Sequence, residues 1–204
     1  MKQRNLVAIS AGLSQPSSTR LLADRLAAAT HRAAEQHDTR LDVAVIELRD
    51  HAHDLMNHLL TGFPSAGLRQ TLDRVAAADA LIAVTPIFNA SYSGLFKSFF
   101  DVLDDTALTD KPVLVGATGG TARHSLALEH ALRPMFVYLH AVVVPTSVFA
   151  ASEDWGTDSV QGGLANRINR AGAELARQLD LREPATVTDP YDSPTPFERL
   201  LAGD

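Results

Sequence analysis

Short apolar runs alternate along the chain with longer segments in which apolar residues recur every three or four positions. Runs of the first kind, bounded by turn-forming residues, predict buried strands. They cover residues 5–10, 41–46, 80–86, 112–118 and 141–149, the last bent at Pro145. Segments of the second kind predict helices. They cover residues 18–36, 67–77, 93–103, 124–139 and 159–180. Residues 47–66 follow neither pattern and are expected to be irregular, with one helical turn near 55–60.

The strands are continuous apolar runs rather than alternations of apolar and polar residues, which indicates a parallel sheet buried on both faces. Regular alternation of such strands with helices predicts an α/β fold, a three-layer, doubly wound sandwich. We expect a five-stranded parallel sheet of order 2-1-3-4-5. Pro134 should kink or interrupt the helix over 124–139. Residues 1–182 are expected to form one domain, and the proline-rich residues 183–204 a C-terminal tail.

Composition narrows the possible functions. The 204 residues carry a net charge of −6, which argues against a general nucleic-acid or membrane-surface role. The chain has no cysteine, so disulfides, thiolate metal sites and a cysteine nucleophile are excluded. The apolar run near the N-terminus is short for a signal peptide, and no run reaches the length of a membrane span. We therefore expect a cytoplasmic protein.

Ligands of an open α/β sheet bind outside the carboxyl ends of its strands, at the point where the strand order reverses. In the predicted order, the loops after strands 1, 3 and 4 meet there. The first loop places Ser10 at the end of a strand and Ser17, Ser18 and Thr19 at the start of a helix. Hydroxyl groups and free helix N–H groups bind phosphate well. The alternative is that one hydroxyl caps the helix and the others are solvated. Both the Walker A and G-x-G-x-x-G patterns are absent here.

The second loop lies in "TPIFNASYSGLFKSFFD", residues 85–101, and mixes small, polar and aromatic residues suited to a flat ring. The third, "ATGGTARHS" at 117–125, has two glycines that permit close approach of backbone to a ligand. Each also has a plainer interpretation. The second could be an ordinary loop with one aromatic residue in the core, and the third a tight turn.

These three loops together resemble the NAD(P)H-dependent FMN reductases of the flavodoxin-like superfamily. The likeness rests on residues 85–103, residues 111–134 and the serine-rich first loop, and extends in order and spacing over 5–180. Within that family, the chain is most similar to the sulfonate-utilisation type. The resemblance implies NAD(P)H-dependent reduction of FMN, delivery of reduced flavin to a partner monooxygenase, and a homodimer or homotetramer joined through residues 126–139.

The resemblance also implies roles for individual residues. Those expected to bind the FMN phosphate are Ser10, Ser17, Ser18 and Thr19. Those expected to line the ribityl chain and the ring are Pro86, Ile87, Phe88 and Asn89, with Thr118, Gly119 and Gly120 on the other side. Arg123 and His124 would lie near the pyridine nucleotide, although Arg123 could equally form a surface ion pair. No catalytic side chain is expected, because the flavin carries the chemistry.

Other functions remain open from the sequence alone. A quinone, azo or chromate reductase would hold FMN tightly, and a flavodoxin-like electron carrier would bind FMN without oxidising a nucleotide. A metal site formed by His51, His53 and His58 near Asp54 is disfavoured, because the segment is predicted to be a loop without metal-ligand spacing. Trp155 could contact a neighbouring subunit or cover the core at a loop.

Overall fold

The computed structural model describes residues 2–155 and 163–185. Seven strands form its sheet: β1 (Lys2–Ser10), β2 (Thr39–Glu47), β3 (Ala80–Phe88), β4 (Ser91–Tyr92), β5 (Pro112–Gly119), β6 (Val142–Val143) and β7 (Val148–Ala151). The order is β2-β1-β3-β5-β6, and all neighbours along this path are parallel. Strand β7 also runs parallel to β5, while β4 forms an antiparallel hairpin with β3.

The predicted three-layer α/β fold is confirmed, and the five expected strands keep their order 2-1-3-4-5. The count of strands was wrong, for two reasons. The fifth predicted strand is divided into β6 and β7, on either side of the expected bend at Pro145. The hairpin strand β4 adds a further short element after β3. Residues 186–204, most of the predicted tail, lie outside the described residues.

Six α-helices occur in the described residues and pack on the two faces of the sheet: α1 (Ser18–Glu35), α2 (Ala52–Thr61), α3 (Ala66–Ala77), α4 (Gly94–Phe100), α5 (Arg133–Tyr138) and α6 (Leu164–Leu181). The helical turn expected near 55–60 lies within α2, but the expectation that the rest of 47–66 is irregular was wrong. A 3₁₀ turn over Leu48–His51 leads directly into α2, which Gly62 ends in the left-handed conformation at φ 78°. None of the described helices has the length and apolar character to cross a bilayer.

The predicted helix over 124–139 is not one regular helix. It contains a 3₁₀ turn (Ala122–His124), a π-helical stretch (Leu128–Leu132) and then α5. Pro134 lies in the first turn of α5, where the missing proline N–H removes no α-helical hydrogen bond. The predicted interruption of the helix is therefore confirmed, because the helix changes from π to α at Arg133, one residue before the proline.

Two apolar clusters cover the two faces of the sheet. Helices α1 and α6 pack on one face through residues such as Leu22, Leu26 and Leu175. Helices α2 to α5 pack on the other, where Phe96 and Phe136 are fully buried. This burial on both faces is why the central strands β3 and β5 are almost uninterrupted apolar runs.

Helices α1 and α6 approach each other very closely at Gly172. A Cβ atom at this position would lie 2.8 Å from the backbone carbon of Ala29 and 2.8 Å from the nitrogen of Thr30. Since real Cβ atoms do not come so near to backbone, the two helices can keep this spacing only with glycine. The position of α1 matters for function, because its amino end borders the site described below.

We predict that Gly172→Ala lowers the free energy of unfolding by about 1–3 kcal/mol, because the added methyl group must push the helices apart. Gly67→Ala is the matched control. Gly67 lies in α3 with nothing within 4 Å of its added Cβ, so alanine there should leave stability unchanged or raise it slightly. Urea denaturation of both variants tests this, and equal effects of the two substitutions would contradict the packing argument.

Lys111 is a buried cation immediately before β5. Its side chain is 6% exposed, and Nζ donates hydrogen bonds to the carbonyl oxygens of Val75 (2.6 Å) and Ala76 (2.7 Å) near the end of α3. Burial lowers the pKa of Lys111 to about 8, against an opposing effect of Asp79. The charge thus stabilises a helix end at the cost of desolvation.

This lowered pKa predicts how stability depends on pH. Between about pH 8 and the ordinary lysine pKa of about 10.4, the unfolded chain binds more protons at Lys111 than the folded chain does. The free energy of unfolding contributed by this residue should therefore rise with pH across that window. Compared with Lys111→Met, the wild type should gain on the order of 2 kcal/mol between pH 7.5 and 10 in urea denaturation. A difference between the two proteins that stays constant with pH would contradict the assignment.

Candidate active site

A cleft of about 410 Å³ opens at the carboxyl edge of the sheet. Parallel register brings its walls together, since Ser10 of β1 pairs with Val84 of β3, and Pro86 of β3 pairs with Thr118 of β5. Nine of the thirteen predicted site residues line the cleft: Ser17, Ser18, Thr19, Pro86, Ile87, Phe88, Thr118, Gly119 and Gly120. The lining does not include Ser10, Asn89, Arg123 or His124.

The first loop ends in a well-formed helix start. Ser17 is the N-cap of α1, and its Oγ accepts a hydrogen bond from the Arg20 N–H at 3.2 Å. The capping alternative is therefore correct for Ser17. The amide groups of Ser18 and Thr19 precede the first N–H that can bond within the helix, so they remain suited to an anion at the positive end of the helix dipole. Gly12 permits this loop, because a Cβ there would lie 2.0 Å from Ser17 Oγ.

Two hydroxyl groups of the predicted phosphate site are buried. Ser10 is fully buried below the loop, and its Oγ accepts a hydrogen bond from the Gly12 N–H at 3.4 Å. Thr19 Oγ1 and Thr118 Oγ1 are 2.8 Å apart and hydrogen-bonded to each other. This second contact joins the start of α1 to the end of β5, so it fixes the first loop against the third.

The second loop is a tight hairpin between β3 and β4. Asn89 (φ 48°) and Ala90 (φ 67°) both have positive φ, as a two-residue turn of this twist requires. An alanine rarely adopts this conformation, so the turn carries backbone strain. Phe88, immediately before the turn, pairs with Ser91 and remains 49% exposed at the cleft. Asn89 therefore shapes the loop, and Phe88 is the exposed aromatic side chain of the cleft wall.

The third loop is held close to β7. A Cβ at Gly119 would lie 2.9 Å from the Phe149 ring, whereas Gly120 is exposed with open space around it. Arg123 and His124 follow in an exposed 3₁₀ turn. Arg123 forms no ion pair with any residue in 2–155 or 163–185, so the predicted surface ion pair is not found in the described chain.

Four further residues line the cleft: Leu13, Ser14, Ser152 and Trp155. Of these, Trp155 is the largest addition to the site. It follows β7 by one 3₁₀ turn, and the Arg25 guanidinium lies 5.2 Å from the centroid of its ring. The sequence did contain a signal for Trp155, namely its position after the last predicted strand, because that strand also ends at the ligand-binding edge of the sheet.

Charged groups beside the first loop are paired. The Arg20 Nε donates to Asp24 at 2.8 Å and Nη1 donates to Glu47 at 2.9 Å. The Asp24 carboxylate, together with Glu47, raises the pKa of Arg20 above its ordinary value. Arg20 is consequently held by carboxylates rather than being a free cation for the phosphate.

The histidines considered for a metal lie at and within α2. His51 Nε2 is 3.1 Å from Thr71 Oγ1, and the Asp54 carboxylate accepts a hydrogen bond from Ser65 Oγ at 2.6 Å. Among the described residues, no group of three or more histidine and acidic side chains is arranged to hold a metal ion.

The groups that border the cleft fit FMN chemically. A helix amino end with hydroxyl groups suits a phosphate, and an exposed aromatic residue beside a hairpin suits a flat ring. The glycine pair brings backbone without a side chain to the opposite wall. The cleft therefore offers a helix amino end, an aromatic surface and glycine backbone, and each of these suits a part of flavin mononucleotide.

Comparisons with known proteins agree with this interpretation. Residues 4–156 match the family model described as NADPH-dependent FMN reductase. An FMN reductase (NADPH) of Pseudomonas aeruginosa is 40% identical over 85% of this chain and 91% of its own. The NADH-dependent FMN reductase SfnE of Pseudomonas putida is 39% identical over 86% and 91%. A solved oxidoreductase of Corynebacterium diphtheriae is 45% identical, with a TM-score of 0.86 over 90% of this chain and 100% of that one. The chain belongs to the NADPH-dependent FMN reductase family.

Proposed function

We propose that this cleft binds FMN so that NAD(P)H can reduce it, with the phosphate at the amino end of α1. The observation that carries the proposal is the convergence of nine predicted residues from three separate loops on one cleft at the carboxyl edge of the sheet. The flavin ring would lie between the Phe88 hairpin and the Gly119–Gly120 loop. Family membership supports both FMN and a reduced pyridine nucleotide as the reacting pair.

In this proposal, residues of the chain bind and orient the flavin. The Ser18 and Thr19 amides hold the phosphate, with Ser17 capping the helix and Ser10 supporting the loop from below. Pro86, Ile87, Phe88 and Thr118 border the ribityl chain and ring, and Asn89 sets the turn that presents Phe88. Arg123 and His124 stand beyond the lining, where a nucleotide can approach from solvent. When bound, FMN supplies a hydride acceptor at N5, so no side chain is needed as acid, base or nucleophile.

Delivery of the reduced flavin to a partner monooxygenase is the finer part of the proposal. An exposed cleft supports it, since Ser18, Phe88 and Gly120 are all solvent-accessible and leave the flavin a route out.

We also propose a homodimer or homotetramer joined through residues 126–139. Large apolar side chains exposed on that segment support this: Leu126 (63%), Val137 (58%) and Tyr138 (81%). A cytoplasmic location is proposed on the absence of cysteine.

An oxidation assay tests the function. Flavin-free protein with NADH or NADPH should oxidise the nucleotide only when FMN is added, with saturation at micromolar FMN. Flavin that stays bound through gel filtration, with ping-pong kinetics toward a quinone, would instead indicate the tightly bound reductase. Binding of FMN without any nucleotide oxidation would indicate an electron carrier and contradict the proposal.

Replacement of Thr118 tests how the site is held. Thr118→Val preserves shape but leaves the buried Thr19 hydroxyl without its 2.8 Å partner, which should cost about 1–3 kcal/mol of unfolding free energy. Because the bond joins the phosphate loop to the third loop, FMN affinity should fall about tenfold as well.

Thr118→Ser is the matched control, since it keeps the hydroxyl and loses only a methyl group. It should retain most of the FMN affinity in a fluorescence titration. Equal affinities of the valine and serine variants would show that the hydroxyl pair does not position the flavin loops.

A further inference from the structure

A second cleft, of about 730 Å³, lies beside the first loop on the side of β2. Four residues line both clefts: Ser14, Ser17, Ser18 and Trp155. The two clefts are therefore adjacent, with the phosphate loop between them. A ligand that places one end over the flavin can extend its other end into the second cleft, whose volume suits half of a dinucleotide.

Trp155 gives the second cleft an aromatic wall. The Arg25 guanidinium, 5.2 Å from the ring centroid, helps to hold the indole in place, and the residue is only partly buried. Leu21 and Pro16 add apolar surface to the same cleft. An indole at the border of a cleft is suited to stacking with a purine base.

The charged part of the lining is built around one carboxylate. Glu47 is the last residue of β2, and its two oxygens hold two arginines. Oε1 accepts from Arg20 Nη1 at 2.9 Å, and Oε2 is 3.0 Å from Arg49 Nη2. Arg20 is further held by Asp24, and Arg49 Nη1 donates to the Ser14 carbonyl at 3.0 Å. Both guanidinium groups are thus committed to partners within the chain.

This arrangement bears on which nucleotide the protein uses. The adenosine ribose of NADH carries a 2′-hydroxyl. A carboxylate can accept a hydrogen bond from this hydroxyl and so select NADH. The ribose of NADPH carries a 2′-phosphate, which arginines bind and a carboxylate repels. Because Glu47 presents its negative charge here and occupies both arginines, a 2′-phosphate would have to displace it.

We propose that the second cleft binds the adenosine half of the pyridine nucleotide and that Glu47 makes NADH the preferred reductant. This inference rests on the proposed function, since it concerns the reductant of the same reaction. Glu47 acts here as a specificity residue, by contact with the ribose and by its hold on Arg20 and Arg49. Trp155 supplies the stacking surface for the base.

Direct binding can be measured without turnover, because Trp155 is the single tryptophan of the chain. Adenosine 5′-phosphate added to flavin-free wild-type protein should quench its fluorescence, and should bind at least tenfold more tightly than adenosine 2′,5′-bisphosphate. An unchanged emission spectrum at millimolar nucleotide would overturn the assignment of the cleft. Tighter binding of the bisphosphate would overturn the role of Glu47.

Glu47→Gln tests selectivity. Removing the charge should release the arginines and lower the ratio of kcat/KM for NADH to kcat/KM for NADPH at least tenfold. The preference for binding adenosine 5′-phosphate over adenosine 2′,5′-bisphosphate should fall in the same way. Asp180→Asn is the control, because Asp180 pairs with Lys2 at 2.8 Å away from both clefts. It should leave the ratio unchanged. A ratio for Glu47→Gln within twofold of the wild type would overturn the proposal.

Arg49→Gln provides a second variant in case Glu47→Gln fails to fold. It removes one of the two guanidinium groups that a 2′-phosphate could bind after displacing Glu47, so it should raise the preference for NADH further, and a lowered preference would overturn the role of the cluster. The failures are distinguishable. Wild-type protein that reduces FMN but gives no Trp155 response to nucleotide refutes the second cleft alone. Protein that responds to adenosine 5′-phosphate but never oxidises NADH or NADPH refutes the proposed reductase.

Discussion

Parallel pairing of β1, β3 and β5 is the constraint on which the rest of the molecule depends. It brings the carboxyl ends of three strands, at Ser10, Phe88 and Gly119, to one edge of the sheet. Their loops then meet over a space that no single segment could enclose. The amino end of α1 enters the same space, since α1 follows β1 directly and packs closely on α6 at Gly172. Sheet register and helix packing together place an anion-binding helix end opposite an exposed aromatic hairpin.

Most of this architecture could be predicted from the sequence, for a physical reason. Strands buried on both faces must be apolar throughout, and β3, β5 and the second half of β1 are such runs. Helix α2 could not be predicted in the same way. Its apolar residues predicted one helical turn near 55–60, but only Leu55 of its ten residues is buried, so the core does little to fix where the helix begins and ends. Pro134 correctly indicated an interruption of the helix over 124–139, although nothing in the sequence indicated that the stretch before it would be π-helical.

The candidate site was predictable where topology alone decides it. Loops after parallel strands must meet, so residues such as Ser18, Phe88 and Gly120 could be named in advance. Residues that depend on side-chain direction could not be assigned with the same ease, although the position of Trp155 after the last strand was a signal. Trp155 reaches the cleft only through the 3₁₀ turn after β7, and the Arg20–Glu47–Arg49 cluster exists only because β2 lies beside β1. Neither contact follows from spacing along the chain.

A crystal structure of the protein with FMN would test the central claim most directly. The account predicts the phosphate within hydrogen-bonding distance of the Ser18 and Thr19 amides, and the ring between Phe88 and the Gly119–Gly120 backbone. It would be contradicted by FMN at the opposite edge of the sheet, for example in the cleft of about 580 Å³ that Arg4, Lys111 and Arg182 line. That result would show that convergence of the three loops is not what binds the flavin.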